Sequence, residues 1–369
     1  MDKFGTIDGN GPTTFFLAKL KGNNATPSTD DVLCATQSDG SLRAIIRQGQ
    51  DVPLGFPAIT SVKTIGTLVG LKGTLAEGRW NQGVGPFAAV FSARLSFLAN
   101  RPEGIYLAFD SATDFSLVWN LVSVGDTLPA PLNGAKIKSL GPTGCGDFVV
   151  VVLATLVRAA GFIDATNDVA VIRVDGDDPT EIFAIKGGIP PDGNGSGLND
   201  AFKTFGAPLM GKDEVVAFTA TLARSTGAAA TGIWQGQDAA SLRLIARGAD
   251  PAPAGGRFAT FTSLVLPDGQ DRGVIFTGTL AVSTAEGVTT ANKTGLWAVN
   301  SHGVLIGLLR TGDKIAGVAG QTRTIKSFRA LEPAPGSIGA ANGYDNAGHV
   351  AALVTFTDGK IALVEFTIP

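Results

Sequence analysis

The chain has 369 residues, a formal net charge of -3, 44% hydrophobic and 17% charged residues, with Gly 49 and Pro 19. No Lys/Arg cluster reaches the density that counterion release at a phosphate backbone needs, which argues against nucleic acid as a partner. The longest apolar run, residues 148–157, stops at Arg158 after about half the length of a spanning helix, which argues against membrane insertion.

A short strand pattern then recurs along the chain: a bulky or apolar residue, a small one two positions on, and Leu or Phe four positions on. Phe16, Ala18 and Leu20 give its first copy, with Phe4-Gly5 ahead of it as the remnant of an earlier strand. A third strand is predicted at 32–35 and a fourth at 42–47, separated by the polar turn Ser38-Asp39-Gly40 and closed by Gly49-Gln50. The second unit shows the leading strand in full as Val62-Lys63-Thr64-Ile65, then Phe91, Ala93 and Leu95, strands at 104–109 and 117–124, and the turn Gly125-Asp126. The third reads Ile137-Lys138-Ser139-Leu140, then Val152, Ala154 and Leu156, strands at 169–174 and 181–186, and Gly188. In the fourth, Phe202-Lys203-Thr204-Phe205 precedes Phe218, Ala220 and Leu222, strands at 232–234 and 242–247, and Ala249-Asp250. The fifth has Phe258-Ala259-Thr260-Phe261, then Phe276, Gly278 and Leu280, a strand at 295–299, the turn Ser301-His302-Gly303, a strand at 305–310, and Gly312-Asp313. The sixth has Ile325-Lys326-Ser327-Phe328, then Ala352, Val354 and Phe356, and a third strand at 361–366.

A unit of this size cannot bury its own apolar face, so copies must stack on one another. The pattern predicts an all-β, six-bladed β-propeller of four-stranded antiparallel meanders, one domain over 1–369 with units near 1–49, 50–125, 126–188, 189–250, 251–313 and 314–369. The last blade is expected to be incomplete or three-stranded, unless residues 1–7 reach round to help close it. At the end of each fourth strand Gly supplies φ > 0, and Pro53, Pro129, Pro190 and Pro251 are expected to stop further pairing. Cys34 and Cys145 are too few for a disulfide framework and read as small buried thiols.

The sixth unit contains Asp345-Asn346-Ala347-Gly348-His349-Val350-Ala351-Ala352, followed by Thr357-Asp358-Gly359, and resembles the bacterial exported proteins with NxxGxxAF tandem repeats. The Gly-Ile-Trp and Gly-Leu-Trp strand starts at 232 and 295, and the Gly-Asp turns, resemble the rest of that repeat. Asp345 stands in place of its Asn and Ala352 in place of its Phe. The resemblance implies an exported protein, periplasmic or extracellular with its leader removed, of unassigned biochemical role, and brings no catalytic residues. The start Met1-Asp2-Lys3-Phe4-Gly5 lacks the regions of a secretory signal, which fits either a removed leader or a cytoplasmic protein.

Chemistry-bearing residues are sparse. His302 and His349 each lie beside a Gly in a turn, and no nucleophile elbow accompanies them. Tyr106 and Tyr344 are the only tyrosines, and Asp114 reads as a turn residue, which gives little to a sialidase-type site. Asp192-Gly193-Asn194-Gly195-Ser196-Gly197 places Asp192, Asn194 and Ser196 as oxygen ligands around Gly, the way a loop wraps Ca²⁺, with Asp200 nearby and Lys203 where a bidentate Glu belongs. Lys63, Lys138, Lys203 and Lys326 hold one place in four units: on an innermost strand they would line a channel for an anionic ligand, on an outer strand or rim they would solubilise an edge. Among the tryptophans, Trp234 and Trp297, with Tyr106, read as packing between blades, and Trp80 as the exposed one able to bind.

The expectation is a non-catalytic binding module with a protein, glycan or small anionic ligand on one loop face or in a central channel. The insertions at 71–86 and 332–344 are its expected contact surface. The alternative is a carbohydrate-active hydrolase or lyase that gathers carboxylates from several loops.

Overall fold

The computed structural model describes residues 3–10, 13–22, 24–36, 40–53, 59–68, 88–95, 103–110, 116–145, 149–175, 180–191, 200–211, 214–223, 230–267, 273–316, 320–331, 343–345 and 347–369. These form strands and turns, without an α-helix, in six antiparallel sheets whose strands neighbour one another in chain order. Sheet one is β1 (Lys3–Asn10), β2 (Thr13–Lys19), β3 (Asp31–Thr36) and β4 (Leu42–Arg47). Sheet two is β5 (Asp51–Pro53), β6 (Ile59–Leu68), β7 (Ala88–Leu95), β8 (Gly104–Asp110) and β9 (Ser116–Ser123). Sheet three is β10 (Ile137–Cys145), β11 (Val149–Leu156), β12 (Val169–Asp175) and β13 (Glu181–Ile185). Sheet four has β14 (Ala201–Phe205) and, past the two-residue β15 (Leu209–Met210), β16 (Val216–Ala223), β17 (Ala230–Gly236) and β18 (Arg243–Arg247). Sheet five is β19 (Phe258–Val265), β20 (Ile275–Leu280), β21 (Thr294–Val299) and β22 (Leu305–Arg310). Sheet six is β23 (Lys314–Ala316), β24 (Thr322–Ala330), β25 (His349–Phe356) and β26 (Ile361–Thr367). The fold is all-β and of the propeller-blade type that the repeat predicts.

Two compact units contain the sheets: sheets one to three with β15 in the first, sheets four to six in the second. Within the first, Ile105, Leu107 and Val122 of sheet two are buried in one cluster with Ile137, Val152 and Ile172 of sheet three. Within the second, Ile275, Leu296 and Leu309 of sheet five share a cluster with Ile325, Val354 and Phe356 of sheet six. A strand covered on both faces has no polar side to show, and β11 accordingly runs Val149, Val150, Val151 and Val152 with all four buried. Each such fully buried side chain stabilises the fold by roughly 1.5–3 kcal/mol.

The leading tetrads depart from simple alternation. Val62 pairs with Leu95 but Thr64 pairs with Arg94, so Lys63 is the extra residue of a β-bulge. The same shift falls at Lys138, Lys203, Ala259 and Lys326. Two neighbouring side chains therefore face out together while the flanking apolar pair faces in, which is the physical reason for an apolar-Lys-Ser/Thr-apolar order. The hydroxyl after the bulge has a cross-strand partner: Thr260 Oγ1 lies 2.7 Å from Thr279 Oγ1, and Thr204 is bonded to Thr221. A second shared bulge places Ile45, Leu121, Phe183, Ile245 and Leu308 as extra residues in the fourth strands of sheets one to five.

The sheet-to-sheet connections correct one expectation. Gly49, Gly125 and Gly312 take positive φ as predicted, Ala249 does so at 73°, and in sheet three it is Gly187 rather than Gly188. The chain does not stop pairing there. Gly49 N donates to Val62 O at 2.7 Å and Val62 N to Gln50 O at 3.0 Å, and equivalent bond pairs join Gly125 and Asp126 to Ile137, Ala249 and Asp250 to Phe258, and Gly312 and Asp313 to Ile325. Pro53 pairs with Ile59, and Pro251 bridges Arg257, because the segment folds back as a hairpin on the next leading strand. Proline is tolerated in these places as the outer member of a hairpin edge.

Sheet six is likewise corrected in part. It has three long strands, and its fourth is the short β23 on the leading-strand side rather than one following β26. The N-terminal β1 pairs with β2, Lys3 opposite Lys19 and Asn10 opposite Thr13, and is the first strand of sheet one.

Candidate functional site

The bulges put Lys63, Lys138, Lys203 and Lys326 in one structural place, each exposed near the end of its sheet where the second strand turns into the third. Sheets two and three of the first unit carry two of them, and sheets four and six of the second carry the others. Among the described residues none of the four is in an ion pair. The backbone beneath Lys63 is fixed by Gln48, a buried side chain whose Nε2 donates to Lys63 O at 2.8 Å. An ammonium group on a flexible stem held there is a hydrated point charge open to an anionic ligand.

Other bases at the same ends are paired, and the chain reading missed these pairs. Lys19 meets Asp30 and Asp31 at 3.3 and 3.0 Å, Arg94 meets Glu103 at 3.4 Å, and Arg158 meets Asp168 at 2.6 Å. Their signal was available: a base at or just past the end of the second strand and an acid at or just before the start of the third. Asp168 is nearly buried and also accepts from Lys186 Nζ at 3.0 Å. Burial pushes its carboxyl up, but the Arg158 and Lys186 hydrogen bonds outweigh this and hold it below the usual carboxylate range.

At the opposite ends, Arg173 on β12 has its side chain 18% exposed and lies 3.6 Å from Glu181 and 4.0 Å from Asp175, with an ion pair to Glu214. Glu214 has φ 60, in the place where sheet six has Gly348 at φ 86, four residues ahead of the opening motif. A left-handed conformation at a Glu costs about 1–2 kcal/mol. In sheet six, Asp345 and Gly348 build the turn ahead of β25. Asp345 Oδ1 accepts from His349 N at 2.8 Å, its N donates to His349 O at 3.0 Å, and Gly348 supplies the turn between them. Asp345 Oδ2 also lies 2.8 Å from His349 Nδ1, so this histidine belongs to a turn that is hydrogen-bonded through its side chain. His302 is exposed in its turn, with its N donating to Asn300 Oδ1 at 3.0 Å.

The remaining candidates divide. Trp80, Asp114, Asp192, Asn194 and Ser196 lie outside the described residues, as do 71–86 and 332–342. Asp200 is half-buried just ahead of β14. Among the described residues no group of three or more His, Cys, Asp or Glu side chains is placed to hold a metal ion, and no helix is long and apolar enough to cross a membrane. Cys34 and Cys145 are buried and form no disulfide, and burial pushes the Cys34 thiol up.

Trp234 and Trp297 are buried, and the aromatic rings they meet belong to their own sheets. Trp234 meets Phe202 edge-on at 5.0 Å and stacks on Phe218 at 6.3 Å; Trp297 meets Phe258 at 5.1 Å and Phe276 at 5.7 Å in the same two geometries. The reason lies two residues upstream. A Cβ on Gly232 would stand 2.6 Å from the Trp234 ring and one on Gly295 2.4 Å from the Trp297 ring, so each ring folds back over its glycine. Gly104 and Tyr106 repeat the arrangement, with the phenol oxygen 2.8 Å from such a Cβ.

A family model described as "Family of unknown function (DUF7453)" matches residues 124–364. The chain belongs to this family. The DUF7453 match spans sheets three to five and all but the end of β26, and so includes Lys138, Lys203 and Lys326. No curated protein matches the chain. Among solved structures, the β-propeller domain of the Trilobed protease from Pyrococcus furiosus aligns with a TM-score of 0.44 at 7% identity, covering 99% of this chain and 95% of that one. The polysaccharide lyase Uly1 aligns at 0.40 and 8% (99% and 77% covered), and exo-β-1,3-galactanase from Phanerochaete chrysosporium at 0.28 and 13% (98% and 85%). At these scores nothing about ligand or reaction passes from those proteins to this DUF7453 member.

Proposed function

We propose that this DUF7453 member is a non-catalytic binding module that takes an anionic ligand or partner through its bulge lysines. One observation carries the reading: Lys63, Lys138, Lys203 and Lys326 share an exposed bulge, free of ion pairs among the described residues, while Ala259 keeps the same bulge in sheet five. The fold therefore does not require lysine at that place. Charge is the property that lysine adds, and its attraction for an anion extends over about 8–10 Å at ordinary ionic strength. The reading takes the whole chain as one six-bladed propeller domain acting outside the cytoplasm, as the resemblance to exported repeat proteins implies.

The test is a variant with all four lysines changed to Ala, titrated with a sulfated polysaccharide at low salt. Binding is expected to weaken at least tenfold with the thermal midpoint unchanged, since Ala259 already shows that the bulge accepts Ala. Equal binding by the variant would remove the lysines from the site. The competing reading, a hydrolase or lyase, needs acids free to exchange protons. Asp168, Glu181, Glu214 and Asp345 are instead each paired with a base. Reducing ends or unsaturated uronides released from a polysaccharide panel would decide for the enzyme.

A further inference from the structure

The third strands of the other sheets are hidden among their neighbours. β3 is buried from Val32 to Ala35, β12 from Ala170 to Ile172, and β21 from Gly295 to Val299. β26 occupies the same third place, with Val364 opposite Ala352 as Trp297 is opposite Phe276 and Trp234 opposite Phe218. Yet β26 alternates exposed and half-buried residues along its whole length, with Ile361 64% and Leu363 75% exposed, and Leu353 beside them on β25 45% exposed. Among the described residues no strand pairs with its outer edge, where sheets one to five each have a fourth strand. Nor does β26 carry the features that usually blunt an edge. It has no Lys, no Pro and no bulge, and a single charge at Glu365.

We infer that the outer edge of β26 is a docking site for an extended strand of another polypeptide, of the form Arg, three apolar residues, Arg, added antiparallel as a fourth strand. The other sheets provide the template. In sheets one and four the fourth strand reads Arg43-Ala44-Ile45-Ile46-Arg47 and Arg243-Leu244-Ile245-Ala246-Arg247. Arg43 stands opposite Ala35 and Arg243 opposite Gln235, the place that Glu365 takes in β26. Arg47 and Arg247 stand opposite Val32 and Gly232, the place of Ala362. The second arginine has a role at the adjoining turn: Arg47 Nε and Nη2 donate to Thr29 O and Asn24 O at 2.8 and 2.6 Å, and Arg310 in sheet five reaches Asn292 O. In sheet six that turn carries the half-exposed Asp358, which Arg323 already pairs at 3.0 Å. Glu365 thus faces the first basic end, and Leu363 and Val364 stand opposite the apolar centre. Backbone hydrogen bonds supply affinity in such an addition, while Glu365 and the apolar row set which strand enters.

The full chain is titrated against a fluorescein-labelled peptide of residues 239–250, read by anisotropy. Saturable binding is expected, weakened at least tenfold by Leu363→Lys, which places a charge on a side chain already in solvent and leaves the thermal midpoint in place. Glu365→Arg is expected to reject this peptide and accept one carrying Arg243→Glu. Absence of saturable binding, or equal binding by Leu363→Lys and Glu365→Arg, overturns the inference. So does a mass that doubles with concentration and is restored to one chain by Leu363→Lys, because the edge would then serve a second copy.

Discussion

Gly295 and Trp297 illustrate how much a single position carries. The indole lies where a Cβ on Gly295 would be, 2.4 Å from the nearest ring carbon, and the ring itself is held by Phe258 and Phe276. Gly295→Ala must displace a buried ring and is expected to destabilise by roughly 1–3 kcal/mol, read from denaturant midpoints, with a shift in tryptophan emission. An unchanged midpoint would mean that the ring has room to move. Ala249 predicts the opposite sign. It takes φ 73 at a junction where Gly49, Gly125 and Gly312 stand in the equivalent places. Left-handed backbone at an L-residue costs about 1–2 kcal/mol, partly offset by the chain entropy glycine brings, so Ala249→Gly is expected to raise stability by about 0.5–1 kcal/mol. The glycine pattern at both places was legible in the chain. The ring lying back over its own strand was not, because a Gly-x-Trp spacing specifies two side chains on one face without specifying which way the larger one leans.

At the level of the strand, polar letters in the leading tetrads record a bulge. Lys138 and Ser139 are adjacent and both exposed, an arrangement that a regular two-residue period forbids and one extra residue permits. Reading Lys and Ser as alternating faces would put one of them in the core. The turn between second and third strands was harder to read, since it depends on side chains that meet only after the hairpin forms. Asp168, with Arg158 and Lys186, is the most buried of these. Its carboxyl titrates lower in the folded chain than the unfolded value of about 3.9, so its stabilisation is present above that value and is lost as pH falls through the lower, folded one. Asp168→Asn is therefore expected to cost about 1–2 kcal/mol at pH 7, with the difference from the parent chain vanishing in acid. A difference that persists undiminished at the lowest pH would assign the loss to packing instead.

For the molecule as a whole, the repeat read from Phe16, Phe91, Val152, Phe218, Phe276 and Ala352 locates every second strand of the six sheets. The connections were the part that escaped, because pairings such as Gly49 with Val62 join segments that each look like a turn or an edge on their own. The lysines were legible as a repeated place. Their freedom from ion pairs among the described residues became visible only beside the paired Lys19, Arg94 and Arg158. The claim that these four charges bind an anion can be counted. Affinity for a sulfated polysaccharide is measured across a salt series for the parent chain, for Lys63 and Lys138 changed to Ala, and for all four changed. The slope of log affinity against log salt is expected to fall by roughly half with the pair and to nearly vanish with the four, in keeping with release of counterions by each contact. A slope that stays at the parent value after all four lysines are gone would contradict the account.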